Sequence, residues 1–316
     1  MRLPWGHAEL GLTAFVLPAR GAGILVAPAG YDDGTVTSIE SARAGGALIP
    51  DTVEVVEGYR QESCRWGIAG LDVIPAAHYL QLTETLSSLE WVRAGAILAE
   101  QRQIKSAAEI EALAQSASVA QAGLEAGLAA AVPGSNQRQV ELAVRRGCLE
   151  AGAEVVHRVR VVAGPFVQAQ EQPARSPGPL AEGDFVYLQV WGWAQGYGFN
   201  ASRVKVIGPP TAQQQDYLQH LTEATEWMIG NMEPNRQVTF YYTESRGRKI
   251  HPGAHGIGLE LGEEPRVQVQ RTFVPRRGMA LCVAPVVACE TFGRMSISRM
   301  IVIEERGGRL LTGESS

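Results

Sequence analysis

Phe185-Val186-Tyr187-Leu188-Gln189-Val190 and Arg203-Val204-Lys205-Val206-Ile207 are two runs rich in β-branched and aromatic residues, and Gly196-Tyr197-Gly198 lies between them. Such residues suit a pleated, half-buried surface and glycine suits a turn, so the segment reads as two antiparallel strands and their connection. Upstream, Val159-Arg160-Val161-Val162-Ala163 adds a strand, and a proline-rich loop follows over 173–179. Downstream, a helix is expected over 211–232 with Leu218, Leu221, Thr225, Met228 and Met232 inward, and 279–288 and 296–303 read as strands.

Further upstream the helix signals are strong. Ser106 with Glu109 three residues on forms a capping-box pattern, and Ile110, Leu113, Ala117, Ala120, Leu124 and Leu128 then recur on one face. Pro133-Gly134 ends that helix. Ser135 is the expected cap of a second, carrying Val140, Val144 and Leu149 and stopped by Gly152. Helices and strands thus come in two similar blocks, which predicts an α+β domain over 101–316 with helices covering an antiparallel sheet. The stretch 1–100 reads as a small α/β unit, with apolar runs at Ile24, Val53 and Trp66 and one helix and strand between Leu80 and Leu98. Glu100-Gln101-Arg102-Gln103 is the expected linker.

The chain has 316 residues, a net charge of -5 and 45% hydrophobic residues, with mean hydropathy near zero. That balance supports two folded cores and leaves no basic footprint for nucleic acid. Arginine supplies nearly all the positive charge; the lysines are Lys105, Lys205 and Lys249. Cys64, Cys148, Cys282 and Cys289 show no CxxC spacing, so neither a disulfide scaffold nor a zinc site is expected. No apolar run has the length of a signal core or a bilayer span, so no membrane association and a cytoplasmic location are expected.

Five collinear stretches resemble the creatinase, aminopeptidase P and prolidase family, whose catalytic domain has the pita-bread fold. They are Arg102-Gln103-Ile104-Lys105-Ser106 with Glu109; Pro133-Gly134; Gly183-Asp184 through Arg203; His255 through Glu263-Glu264-Pro265; and Gly278-Met279 through Pro285 with 296–307. The resemblance implies a pita-bread domain preceded by a truncated creatinase-like N-terminal domain, and a homodimer.

Metal-dependent members of that family hold two divalent ions with two aspartates, a histidine and two glutamates. Hard cations need such anionic oxygens, and the bound water must lose its proton near neutral pH. By the resemblance the aspartate positions are Gln189 and Asn200, the histidine is His255, and the glutamate positions are Ala284 and Ser298, with Arg299 following where an acid is common. Two further family histidines fall on Gly262 and near Gln172, while His251 matches another. No metal and no other cofactor are therefore expected.

His255 and His251 are the candidate catalytic residues, because a histidine titrates near neutrality. Gln189, Asn200, Trp191, Tyr197, Arg299 and Glu264 are the candidate ligand-binding residues: amides as polar pocket groups, aromatics as a flat wall, arginine as a carboxylate clamp. Glu263 and Glu264 read more readily as structural or solvated acids, the tryptophans and Tyr197 as core packing, Arg203 as a fold residue and Cys282 as an inert buried thiol. The leading functional expectation is a metal-independent enzyme acting on a small amide, amidine or amino-acid-derived molecule. The alternatives are a non-catalytic protein binding a peptide or metabolite and, last, a metallopeptidase cleaving at proline.

Overall fold

In the computed structural model the described residues are 13–20, 22–28, 41–45, 48–60, 64–169 and 178–311. Most of the expected proline-rich loop, and Gln172, lie outside them. The chain divides into two compact units, Met1–Ala99 and Glu100–Ser316.

The first unit contains β1 (Ala14–Val16), β2 (Ile24–Pro28), β3 (Ser41–Gly45), α1 (Leu48–Gly58), β4 (Arg65–Ile68), α2 (Ala76–Thr85) and β5 (Glu90–Arg93). β2 pairs antiparallel with β1 and parallel with β3, and β4 pairs parallel with β5. Val16, Val26, Ile49, Val55, Val56, Leu82, Leu86 and Leu89 form its core. Helix α3 (Gly95–Gln103) then runs across the boundary between the units. The expected linker at Glu100 to Gln103 is therefore helical, and Arg102, read there as linker charge, is committed to two acids of the second unit.

The second unit begins with α4 (Ala107–Ala130) and α5 (Gln137–Glu150). Ser106 and Glu109 close the capping box on α4, and Leu113, Ala117, Ala120 and Leu124 are buried along it. At the other end, Lys205 Nζ donates to the carbonyls of Leu128 and Ala131 at 2.9 and 3.1 Å, placing a cation at the negative pole of the helix. Asn136 caps α5, whereas Ser135 bonds back to Val132. Leu149 is half exposed and Cys148 is buried in its stead. Residues 140, 144 and 148 fall on one stripe at four-residue spacing, and 149 lies half a turn from 140.

β6 (Val155–Gly164) and β7 (Val167–Gln168) precede the hairpin of β8 (Phe185–Ala194) and β9 (Tyr197–Val206). Gln195 and Gly196 turn the hairpin with φ of 54° and 73°, the positive values that a tight two-residue connection requires. β8 is the middle strand of a β6-β8-β9 sheet whose one face packs on α4 and α5 through Val159, Val161, Val186, Leu188 and Val190. Helix α6 (Ala212–Gly230) is capped by Thr211 with Gln214 and buries Leu221, Thr225 and Met228.

The remaining strands are β10 (Val238–Thr239), β11 (Thr243–Ser245), β12 (Arg248–His251), β13 (Ala254–Gly256), β14 (Glu263–Val267), β15 (Thr272–Phe273), β16 (Ala280–Val283), β17 (Val286–Cys289), β18 (Gly293–Ser296), β19 (Arg299–Glu304) and β20 (Gly307–Leu310). They form sheets in the orders β14-β13-β16-β19-β20 and β11-β12-β17-β18-β7, with β10 and β15 as a pair. No described helix is long and apolar enough to cross a membrane.

Candidate functional site

Strand register sorts the candidate residues by face. Opposed residues in an antiparallel pair share a face and neighbours along a strand alternate. Arg158, Trp191 and Asn200 lie opposite one another across β6, β8 and β9, and Arg160, Gln189 and Ser202 form the next row. This face is opposite the one that packs on α4 and α5.

In the second sheet, His255 of β13 opposes Cys282 of β16, which opposes Met300 of β19. A register shift between His255 and Gly256 marks a bulge, a device that re-aims a side chain. The His255 ring thereby meets the Gly256 carbonyl through Nδ1 at 2.9 Å and the Asn200 amide through Nε2 at 3.4 Å.

These groups form one directed chain. A carbonyl only accepts, so Nδ1 carries the proton and Nε2 of the neutral ring is the acceptor. Asn200 Nδ2 donates to it, Gln189 Nε2 donates to Asn200 Oδ1 at 3.0 Å, and the Tyr187 hydroxyl donates to Gln189 Oε1 at 2.6 Å. Every link is neutral. Burial, with the Arg266 charge acting in the same direction, holds His255 below the usual histidine range against the opposing bond to Gly256. Burial likewise pushes the Tyr187 phenol up.

Ser202 and Ser298 complete the surroundings. Ser202 Oγ donates to Ser298 Oγ at 2.9 Å and accepts from the Ser298 amide at 2.8 Å, and both residues are fully buried. Cys282 is fully buried, its thiol pushed up to about 12 by burial, and its Sγ donates to the Asn200 carbonyl at 3.5 Å. A protonated thiol so held is a packing group.

Beyond His255 the same segment reaches a second, charged cluster. Glu263 is buried and accepts from Lys105 Nζ at 2.9 Å, from Arg102, and from the Glu260 amide at 3.0 Å. Arg102 also pairs with Glu260 at 2.7 Å. Glycine at 258 is needed for this approach, since a Cβ there would stand 2.6 Å from a Glu263 carboxylate oxygen. The cluster ties the start of α4 to the loop after β13.

Of the sequence-predicted residues, the structure brings together His255, Asn200 and Gln189, with Trp191 beside Asn200 on the same face. It does not bring Tyr197, Arg299, Glu264 or His251 to this group. Tyr197 lies on the α4 side, where its hydroxyl meets Glu109 at 3.2 Å and its carbonyl accepts from Ser116. Arg299 opposes Val283, so it leaves the strand pair on the face opposite Cys282 and His255. Glu264 is exposed, precedes a cis bond to Pro265 and accepts from the Arg266 amide. His251 sits in the other five-stranded sheet, edge-on to Tyr242 at 5.0 Å, with its pKa lowered by burial and by Arg294 and Lys249.

Tyr187, Ser202, Arg158 and Arg160 are members of this face that sequence reasoning passed over. Alternation along the strands was the available signal, since Tyr187 is two residues from Gln189 and Ser202 two from Asn200. Among the described residues no group of three or more histidine, cysteine, aspartate or glutamate side chains is placed to hold a metal ion. An open groove of about 970 Å³ lies elsewhere, lined by Lys105, Ile110, Arg277, Val302 and Arg306 among others, and touches none of the candidate site residues.

Known proteins agree with this architecture. An Xaa-Pro dipeptidase from Pyrococcus horikoshii is 24% identical over 260 residues, covering 78% of this chain and 74% of its own. A probable dipeptidase PepE from Mycobacterium tuberculosis is 26% identical over 313 residues, covering 94% and 82%. The solved structure of an Xaa-Pro dipeptidase from Bacillus anthracis superposes with a TM-score of 0.80 at 21% identity, covering 98% of this chain and 90% of that one. The fold is the pita-bread fold of the prolidases and X-Pro aminopeptidases, preceded by an N-terminal unit. With residues 111–305 matching Peptidase_M24, the chain belongs to metallopeptidase family M24.

Proposed function

We propose that this M24 protein binds a small molecule or peptide on its Asn200–His255 face without hydrolysing it through a pair of metal ions. The donor set does not fit such a pair. Where the family resemblance calls for carboxylates stand Gln189, Asn200, Ala284 and Ser298, and only His255 is a usual metal ligand. Two adjacent dications without anions would repel one another; each pair of unit charges at 4 Å costs about 4 kcal/mol at an effective dielectric of 20.

The observation that carries the reading is the closed chain from Tyr187 to the Gly256 carbonyl. His255 Nδ1–H is committed to that carbonyl and Nε2 accepts from Asn200, so neither ring nitrogen is turned toward a nucleophile. An amide nitrogen carries two donors, of which the chain uses one, so Gln189 and Asn200 each keep a donor with which to hold a hydrogen-bonding ligand.

The test is turnover of Xaa-Pro dipeptides with manganese, cobalt or zinc, alongside metal content per chain. Background hydrolysis and substoichiometric metal are expected, and a small molecule carried through purification should be recovered intact. Two ions per chain with metal-dependent cleavage would reject the reading.

Metal-independent turnover of a small amide or amidine is the second reading. The Asn200–His255 contact favours it, because at 3.4 Å it is the longest link of the chain and a substrate could displace it to expose Nε2 as a base. That reading requires activity in chelator that His255→Ala abolishes.

A further inference from the structure

The β14-β13-β16-β19-β20 sheet ends in a strand whose outer edge carries unused backbone groups. β20 pairs with β19 alone, and Gly307, Gly308 and Arg309 line the open groove of about 970 Å³. Ile303 donates to the Met279 carbonyl and accepts from the Gly278 amide, so both of its backbone groups are spent toward β16. Backbone groups alternate in direction along an antiparallel strand, so Val302 and Glu304 turn theirs to Arg309 and Gly307, their partners in register. Gly308 and Leu310 therefore point away from β19. Among the described residues neither backbone group of Gly308 nor the Leu310 N–H has a partner, while the Leu310 carbonyl accepts from Arg309 Nη1 at 3.2 Å.

The groove beside this edge is apolar within and basic at its rim. Ile104, Ile110 and Val302 line it, and Ile104 is exposed. Lys105 is spent on Glu263. At the surface Arg309 pairs with Glu304 and Arg277 with Glu305, which leaves Arg306, on the exposed β19–β20 turn, without an acid among the described residues. Exposed pairs of this kind are weak and open readily to a competing acid.

An open edge strand is a template for a further strand: the main chain supplies hydrogen bonds, and alternate side chains enter the neighbouring groove. The surplus arginine on the rim selects for acidic side chains. We infer that β20 docks an extended acidic peptide segment as an added strand, its backbone on Gly308 and Leu310 and a carboxylate on Arg306. The groove shares no residue with the Asn200–His255 face, so the inference stands apart from the function proposed for that face.

Two amide-capped pentapeptides, one alternating valine and glutamate and one alternating valine and lysine, test it when titrated into the full ¹⁵N-labelled chain. The glutamate peptide should bind at least about tenfold more tightly than the lysine peptide and slow hydrogen exchange of the Gly308 and Leu310 amides. The chain carries a net charge of -5, so its overall charge favours the lysine peptide and a glutamate preference reports the groove. N-methylation of the glutamate peptide backbone should weaken binding at least about tenfold, because it removes the donors a strand needs. Arg306→Gln should reduce the glutamate preference, whereas Arg146→Gln, a control on the exposed surface of α5, should leave it unchanged.

No saturable binding of the glutamate peptide up to about 10 mM, equal affinity for its N-methylated form, or unchanged exchange at Gly308 and Leu310 would overturn the inference. A preference indifferent to Arg306→Gln would overturn the assignment of the acid. A doubled mass in sedimentation that the glutamate peptide reverses would show a second copy of the chain on this edge and overturn the choice of occupant.

Discussion

Two buried polar clusters meet the segment that runs from His255 to Glu263, and they are built on opposite principles. At one end, Lys105 and Glu263 bury full charges and pair them, their side chains 2% and 5% exposed, with the partly exposed Arg102 and Glu260 at the rim. At the other, the buried Tyr187 and Asn200 and the half-buried Gln189 and His255 are all neutral and satisfy one another by a one-way relay of donors. In the charged cluster each buried charge meets a partner charge supplied by another element. At the positions where the family resemblance implies metal-binding carboxylates the chain has Gln189, Asn200, Ala284 and Ser298.

The largest effect should come from breaking the charged cluster. Lys105→Ala leaves Glu263 with Arg102 alone and should cost about 3–5 kcal/mol in chemical denaturation, the range for removing one partner of a buried pair. An effect under about 1 kcal/mol would show that water reaches Glu263 and would erase the contrast.

Next is Gln189→Leu, which takes the acceptor Oε1 from the Tyr187 hydroxyl and leaves Asn200 Oδ1 without its donor. A loss of about 1–3 kcal/mol is expected, smaller than for Lys105 because no ion is stranded.

The neutral cluster also has a pH signature. The folded-state pKa of His255 is depressed, so below the unfolded value near 6.5 the unfolded chain binds the proton first. The His255 contribution is therefore present above about pH 6.5 and is lost as pH falls toward the folded pKa, with a limiting slope of about 1.4 kcal/mol per pH unit. His220 and His251 are depressed as well, so the readout is the difference between wild type and His255→Asn, whose acid limb should be shallower. Identical limbs would mean that His255 titrates normally.

The smallest effect is expected outside both clusters. Asn136→Ala removes the cap of α5 and should cost about 1 kcal/mol with no change in ligand binding.

Much of the fold was legible because its signals are local. Ser106 with Glu109 and the apolar stripe of α4 need only the helical repeat, and the β-branched runs of β8 and β9 need only alternation. The failures are errors of parity or of distance. Placing the turn at Gly196-Tyr197-Gly198 left the face of Tyr197 undecided, whereas the true turn at Gln195-Gly196 puts it on the α4 side. In a strand one step reverses the face, and Arg299, one step from Ser298, leaves on the wrong side for the same reason. Leu149 missed the core by half a helical turn.

The roles of Arg102, Lys105 and Lys205 depend on partners far along the chain, and no local pattern announces them. In the site, Gln189, Asn200 and His255 were legible through the family resemblance alone. Their joining into a relay with Tyr187 is a tertiary fact, set by the approach of β9 to β13.

The most direct test of that relay is the imidazole nitrogen spectrum of His255 in ¹⁵N-labelled protein, recorded before and after manganous ion is added. The account predicts a neutral ring protonated on Nδ1 and signals that keep their width in stoichiometric manganese. Protonation on Nε2, or paramagnetic broadening of the His255 resonances by less than one equivalent of manganese, would contradict it.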